Sequence, residues 1–340
     1  MRGGCLAYKT WRMTDSMFRR VLPAISLFFL APFISEYLLG DFPLTKLGYL
    51  MILAPIYGGG ALLIREVVRR TAKGWPTILA LAFAYAVLEE AFTTQTLFNP
   101  NYLKLNLHLL DPAYIPALGI GGWWTIFVLT LHTVWSISTS IALVEACVPA
   151  RATTPWLRWP GLTLDSVLFA LAAIASTRFE IQHDGFIASR TQFVISGIVV
   201  IAAAVAAFLL PSRRAGTQST PAPSPWLPGT IALIAGSIFL TVPRTWAWGA
   251  VAIYIALDLI VIFATTSMSQ RAGWDGRHRL ALAAGAALAY GWHAFLRAPV
   301  DGTTGITIRA SNAVCLFIVI ALIGCAARRQ VRYTSSQPAQ

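Results

Sequence analysis

Long apolar runs separated by short polar segments set the hydropathy pattern of this chain. A membrane-spanning helix needs about 20 mainly apolar residues. Ten runs approach that length, and they lie at about 20–40, 46–64, 75–93, 119–147, 162–178, 192–211, 227–243, 246–265, 279–297 and 308–327. The pattern predicts an all-α fold, a polytopic transmembrane helix bundle of about ten spans, in which the fifth and seventh runs are the least sharply bounded.

The composition agrees with a chain whose solvent is a lipid bilayer. Of the 340 residues, 56% are hydrophobic and only 12% are charged, which is more apolar surface than a soluble core of this size can hide. The net charge of +12 comes from basic residues clustered between the apolar runs, a distribution typical of membrane proteins. The predicted partners are the bilayer and an unknown small-molecule or membrane substrate. Nucleic acid is not expected, and the oligomeric state stays open.

The distribution of Lys and Arg predicts an orientation. With the N-terminus in the cytoplasm, 19 of the 26 basic residues fall in cytoplasmic segments, which predicts that both termini are cytoplasmic. The first run follows Arg19 and Arg20, is long and lacks a small-residue cleavage site, so we expect an uncleaved first helix in the plasma (inner) membrane.

Loops and linkers divide the chain further. Residues 1–150 form a first half with a large outer loop at 94–118, and residues 151–211 hold helices 5 and 6. The segment 212–229 is rich in Pro, Ser and Thr and is expected to be a flexible cytoplasmic linker, followed by a second half at 230–330 and a disordered tail at 331–340.

Ionisable residues inside the apolar runs are the candidate functional groups, because charge inside a bilayer is costly. Glu89 and Glu90 are adjacent near the outer end of the third run, and His132 lies midway along the fourth. Neighbouring positions on a helix point about 100° apart, so only one of the two acids is expected to face a given groove squarely. Close carboxylates and an imidazole suit proton carriage or acid–base catalysis, and a purely structural role is the alternative.

Four further residues are candidate substrate-binding groups: Glu36 at the outer end of the first run, Gly59 in the glycine break after Pro55, Ser136 one turn from His132, and His293. Each has a structural alternative. Glu36 at the interface would meet water, and the glycines would also serve close helix packing. His293 continues a stripe of small residues at steps of four, Ala281, Gly285 and Ala289, which predicts a close helix contact.

Two other acids favour structural roles. Glu145 is expected at headgroup level beside Arg151, and Asp165 at the N-terminus of the fifth helix. The four cysteines have no paired spacing, so neither a disulfide framework nor a metal site is expected, and no cofactor is predicted.

The segments APFISEYLLG, YGGGALLIREVVRR, GWPTILALAFAYAVLEEAF, TLFNPNY and LTLHTVWSISTSIALVEACVP, within about residues 31–149, resemble an uncharacterised family of polytopic bacterial membrane proteins. That resemblance implies one functional unit made of Glu36, Arg65, Glu66, Glu89, Glu90, His132 and Glu145. The family brings no established activity.

A weaker resemblance is to the CPBP (Abi/Rce1-like) intramembrane glutamic proteases, whose pattern is EExxxR, then FxxxH, then a histidine with Asn or Asp one turn away. Here Thr94 stands where the arginine belongs, Phe127 precedes His132 by five residues, and Arg297 follows His293. Three functions remain in view: a proton-coupled carrier, a membrane-embedded hydrolase of the CPBP type or another type, and a non-catalytic assembly or sensor protein. In the last case Arg178 or Arg297 is expected to neutralise the glutamates.

Overall fold

The computed structural model describes residues 20–210 and 218–336, which form a bundle of helices. The ten main helices of this part are α1 Arg20–Leu38, α2 Tyr49–Arg70, α3 Trp75–Thr93, α4 Gly122–Cys147, α5 Trp159–Asp184, α6 Arg190–Leu209, α7 Trp226–Thr241, α8 Trp248–Ser269, α9 Gly276–His293 and α10 Ile306–Ser335. Their number and order confirm the prediction of an all-α transmembrane bundle.

Eight of these helices are long and apolar enough to cross a membrane. The other two are α7, which has 16 residues, and α9, which carries arginine and histidine at its ends. The fifth helix is longer than predicted, with 26 residues, because its polar last two turns continue the helix. The helix also begins earlier than predicted, at Trp159, so Asp165 lies in its second turn and not at its N-terminus, and the prediction for that residue was wrong.

Basic segments from alternate loops meet at one end of the bundle. A guanidinium nitrogen of Arg151 donates to the main-chain oxygen of Arg20 at 3.0 Å, and one of Arg329 donates to that of Cys147 at 2.8 Å. The start of α1 and the last turns of α10 thus lie at the same end as the loop between α4 and α5. These are basic segments that the distribution of Lys and Arg predicts on one side of the membrane.

Short strands occur in two connections. Tyr114–Ile115 (β1) pairs antiparallel with Ile120–Gly121 (β2) in the long loop between α3 and α4. Gln218–Pro221 (β3) pairs parallel with Arg271–Ala272 (β4). Of the predicted linker 212–229, residues 212–217 lie outside the described residues, while 218–221 form β3 and α7 begins at Trp226. The predicted tail begins inside α10, and residues 337–340 lie outside the described part.

Helices α7 and α9 pack backbone to backbone. A Cβ added at Gly285 would lie 2.2 Å from the carbonyl oxygen of Gly229, and one at Gly236 would lie 2.9 Å from the Cβ of Ala289. These contacts confirm the close helix approach predicted from the small-residue stripe. The Trp135 indole stacks on Tyr290 with 4.6 Å between ring centroids, which ties α4 to the same pair.

Four helices contain a π-helical segment, in which the main chain is wider than in an α-helix. These segments are Phe33–Leu38 in α1, Ala54–Gly58 in α2, Glu89–Thr93 in α3 and His132–Thr139 in α4. Such segments are rare and are found frequently at functional sites. The four segments hold Glu36, Tyr57, the paired glutamates and His132, so the irregular backbone coincides with the candidate residues.

Candidate functional site

The imidazole of His132 lies between the two adjacent glutamates of α3. Its Nδ1 atom is 3.2 Å from Glu89 Oε2, and its Nε2 atom is 2.8 Å from Glu90 Oε1. All three side chains are at most 6% exposed. The structure therefore brings together the three residues predicted to carry protons or act as acid and base. We call them, with Glu36, the acid–imidazole cluster.

Both glutamates reach the same histidine, so the prediction that only one could face a given groove was wrong. Two features of the structure explain this. The π-helical turn that begins at Glu89 changes the angle between successive side chains, and the ring of His132 offers a nitrogen on each edge. The Glu89 contact is an ion pair without hydrogen-bond alignment, since Glu89 Oε2 is buried and has no hydrogen-bond partner.

Two tyrosines enclose the cluster. The Tyr57 ring stacks on His132 with 5.8 Å between centroids, and the Tyr85 ring meets it edge-on at 6.4 Å. The Tyr57 hydroxyl faces Glu36 and Glu89, while that of Tyr85 faces Glu89 and donates to the carbonyl oxygen of Ile56 at 3.2 Å. That carbonyl belongs to the π segment of α2, which is one way in which the irregular turn contributes to the site.

Gly60 makes room for the second tyrosine. A Cβ added there would lie 2.4 Å from the Tyr85 ring. The run of three glycines in α2 thus allows close packing around the site. The absence of a side chain at Gly60 leaves the space that the Tyr85 ring occupies.

Hydroxyl and indole groups satisfy the outer oxygen of Glu90. Thr96 donates a hydrogen bond to Glu90 Oε2, and the Thr94 hydroxyl lies 3.3 Å from the same oxygen. Trp124 Nε1 donates to the Thr96 hydroxyl at 2.9 Å. Glu90 is therefore held by a chain of polar contacts from α4 through the start of the long loop.

The predicted substrate-binding residues are divided by the structure. Glu36 lies beside Tyr57 and within electrostatic range of His132 and Glu89, and the Ser136 hydroxyl is 3.1 Å from His132 Nδ1. Gly59 instead faces Phe169 and Asp165 on α5.

His293 lies outside the cluster. It faces the main chain of Leu240 at the end of α7, in the neighbourhood of Arg297 and Asp41. The substrate-binding roles of Gly59 and His293 stay predictions.

Arginines near the bundle ends are paired with other acids. Arg297 donates from Nε and Nη2 to the two carboxylate oxygens of Asp41. It therefore does not neutralise Glu89 or Glu90 in the way that the assembly hypothesis expects. Glu145, which is expected at headgroup level beside Arg151, pairs with Arg65 and Arg69. Among the described residues, none of the Lys or Arg side chains forms an ion pair with Glu89 or Glu90.

The donor atoms of Glu89, Glu90 and His132 lie within 4.8 Å of one another, which is close enough to consider a metal ion. One ring donates a single nitrogen to one metal ion. Here each nitrogen of His132 faces a different carboxylate, so the observed arrangement is an imidazole shared between two acids.

Sequence reasoning missed several residues of the site. Tyr85 lies four residues before Glu89, and this spacing on one helix face was the available signal. Thr96 and Trp124 had no comparable signal, because Thr96 lies in the loop after α3 and Trp124 at the start of α4, and only the packing of these segments brings them to Glu90.

Comparison with known proteins identifies a family and nothing further. The profile of the uncharacterised membrane protein family matches residues 25–337, which extends well beyond the predicted range of 31–149. No curated protein and no solved structure matches the chain, and nothing found supports the resemblance to CPBP proteases.

Proposed function

The chain belongs to this uncharacterised membrane protein family, and we propose that it is a proton-coupled carrier in the plasma membrane whose acid–imidazole cluster binds and releases the coupled proton. The observation that carries the proposal is the contact of one buried imidazole with two buried carboxylates, at 3.2 and 2.8 Å, in the middle of the bundle.

Charge balance supports proton binding at this place. The cluster holds three carboxyl groups and one imidazole, and the nearby arginines are occupied by other acids. Burying an uncompensated carboxylate is expensive, and such groups bind a proton instead. Intramembrane acids and histidines arranged in this way are typical of proton relays in pumps and transporters.

The backbone of the same region supports movement. Carrier sites are commonly built from interrupted helices near the middle of the membrane. Here the four π segments interrupt the regular hydrogen bonding of four neighbouring helices where the cluster lies. A change in the protonation of Glu89 or Glu90 would therefore act directly on helices whose backbone can change between π-helical and α-helical hydrogen bonding.

The test measures uptake into membrane vesicles that contain the overproduced protein. Vesicles are incubated with a defined mixture of amino acids, sugars, nucleosides and amines, with and without an imposed pH gradient, and their contents are measured by mass spectrometry. We expect gradient-dependent accumulation of at least one compound, and we expect Glu90→Gln to abolish it because glutamine cannot exchange a proton.

Asp258→Asn is the matched control. Asp258 lies in α8 and accepts a hydrogen bond from Thr130 at 2.9 Å, without contact to the cluster. Its replacement should leave accumulation unchanged. Accumulation that persists in Glu89→Gln, Glu90→Gln and His132→Gln, or that is the same in vesicles without the protein, would contradict the carrier.

A membrane-embedded hydrolase is the second candidate, favoured by the 2.8 Å contact between His132 Nε2 and Glu90 Oε1. This is the reach required of a general base and its partner. A hydrolase predicts turnover by the purified protein in detergent without any gradient, and a carrier predicts none under those conditions.

The proposed orientation places both termini in the cytoplasm, and cysteine labelling tests it. In a variant whose four native cysteines are replaced by alanine, we expect Lys104→Cys to react with a membrane-impermeant thiol reagent on intact cells. Lys104 is exposed in the loop between α3 and α4. Ser336→Cys, exposed after α10, should react only after permeabilisation. The opposite labelling pattern would reverse the orientation.

A further inference from the structure

The two ring nitrogens of His132 have different surroundings. Nε2 lies 2.8 Å from Glu90 Oε1, and the other oxygen of Glu90 accepts a hydrogen bond from the Thr96 hydroxyl. Nδ1 lies 3.2 Å from Glu89 Oε2 and 3.1 Å from the Ser136 hydroxyl oxygen. One edge of the ring therefore meets a carboxylate that other side chains already hold, and the other edge meets two oxygen atoms.

Glu89 Oε2 has no hydrogen-bond partner that explains its burial. Glu89 is 2% exposed, and among the described residues this oxygen accepts no hydrogen bond. No described lysine or arginine forms an ion pair with it. Buried charges in proteins are paired or coordinate metal ions. A buried carboxylate oxygen that lies beside an imidazole nitrogen without a hydrogen bond therefore needs an explanation, and a metal ion supplies one.

The distance between His132 Nδ1 and Glu89 Oε2 suits two ligands of one metal ion. An ion about 2.1 Å from each atom, the usual length of zinc bonds to nitrogen and oxygen, would make an angle of about 100° with them, close to the tetrahedral value. The Ser136 hydroxyl lies near the same nitrogen and offers a further oxygen. The donor atoms of Glu89, Glu90 and His132 all lie within 4.8 Å of one another.

Glu90 has the position of a residue that orients a histidine ligand. Metal-binding histidines commonly direct their second ring nitrogen at a carboxylate, which fixes the direction of the ring and the nitrogen that carries the hydrogen. Glu90 Oε1 faces Nε2 in this way, while Thr94 and Thr96 hold its other oxygen and Trp124 donates to Thr96. With the hydrogen on Nε2, the lone pair of Nδ1 is available to an ion.

We infer that His132 Nδ1, Glu89 and Ser136 form a binding site for a divalent transition-metal ion such as Zn²⁺, in which Glu90 orients the imidazole. Imidazole nitrogen suits zinc and its neighbours in the first transition row, whereas Mg²⁺ and Ca²⁺ prefer oxygen ligands alone. The carboxylates of the two adjacent glutamates balance the charge of the ion. A metal ion on Glu89 excludes a proton from the same oxygen, so the inference extends beyond the proposed proton carriage and does not depend on it.

The experiment titrates the purified full-length chain in lipid nanodiscs with CoCl₂, because Co²⁺ can take the place of Zn²⁺ and its visible absorption reports the ligands. We expect saturable absorption bands at one Co²⁺ per chain, which ZnCl₂ removes. Glu89→Gln and His132→Gln should abolish the bands. Glu90→Gln should weaken the affinity about 10–100-fold, the usual cost of removing a residue that orients a ligand.

Asp165→Asn is the matched control, because Asp165 is also a buried acid, is 5% exposed and has an unpartnered Oδ2 atom, but faces Gly59. It should leave the affinity for Co²⁺ unchanged. Circular dichroism checks that each variant is folded. X-ray absorption by the Co²⁺-loaded unsubstituted protein needs no variant, and we expect nitrogen and oxygen ligands without sulfur.

Three results would each overturn the inference. They are the lack of saturable binding at about 1 mM CoCl₂, sulfur among the ligands of the ion, and affinities in folded Glu89→Gln and His132→Gln within about twofold of the unsubstituted protein. The proton-coupled carrier fails on a different result, because its test measures gradient-dependent accumulation in vesicles without added metal.

Discussion

Replacing Arg65 by alanine is expected to lower the free energy of unfolding by about 3–5 kcal/mol, the usual cost of breaking a buried ion pair from one side. The Arg65 side chain is fully buried, and its guanidinium nitrogens lie 2.7 Å from Glu66 Oε1 and 3.2 Å from Glu145 Oε1. Without it, two buried carboxylates lose a partner, although Arg69 and Arg70 still contact them.

The same side chain also fastens the loop between α4 and α5. It donates to the carbonyl oxygens of Arg151, Ala152 and Thr154 at 2.8–3.1 Å, and its guanidinium lies 3.4 Å from the centre of the Trp156 ring. Alanine would remove these three part-buried hydrogen bonds, which adds to the cost, although the Arg151 oxygen still accepts from Trp156 Nε1 at 3.0 Å.

The measurement is equilibrium unfolding in mixed micelles, followed by circular dichroism. Arg277→Ala is the control, because Arg277 is exposed and its pairing with Asp275 at 2.8 Å is of the surface type, which is worth less than about 1 kcal/mol. If Arg65→Ala is no more destabilising than Arg277→Ala, the buried network does not stabilise the fold as described.

Replacing Gly58 by alanine is the second substitution with a large expected effect. An added Cβ would lie 1.8 Å from the carbonyl oxygen of Phe28 and 2.6 Å from its Cα, so α1 and α2 would have to separate. Overpacking of this kind costs about 1–3 kcal/mol and sometimes more. Because Tyr57, whose ring stacks on His132, precedes this glycine, the proposed transport activity should fall together with stability.

Gly59→Ala is the control, because Gly59 is the next residue of the same helix but has more space around its Cα than Gly58 has. Its added Cβ would meet Phe169 at 3.4 Å and Asp165 at 3.5 Å, which are near-ordinary contacts. The substitution should be close to neutral, because the higher helix propensity of alanine offsets small adjustments. Melting curves of the two purified variants check the pair, and equal destabilisation would show that helix contact is not the reason for Gly58.

Hydropathy and residue type predict some features of the candidate site and not others. Adjacent acids in an apolar run and a histidine in the next run are visible in sequence because such residues are costly in a membrane. The π turns are not visible, since they arise where neighbouring helices and side chains satisfy a widened backbone. The consequence was an error about Glu89 and Glu90, whose relative direction was taken from a regular α-helix.

Pairing of charged groups was also beyond sequence reasoning. The sequence predicts Glu145 at headgroup level beside Arg151 and names no partner for its charge. In the structure it contacts Arg65 and Arg69 on α2, more than 70 positions away. Residues that are near in the chain lie at the same helix end. The ion-pair partner of a buried acid depends instead on which helices pack together.

The amino-acid sequence by itself determined the number and order of the helices, the grouping of basic segments at one end of the bundle, and the three residues at the centre of the site. These properties follow from how much apolar surface each segment carries and where its charges lie, both of which are local. Only the tertiary structure decided that both glutamates share one imidazole and that tyrosines from α2 and α3 enclose it. Each of these depends on contacts between segments distant in the chain, which no local pattern encodes.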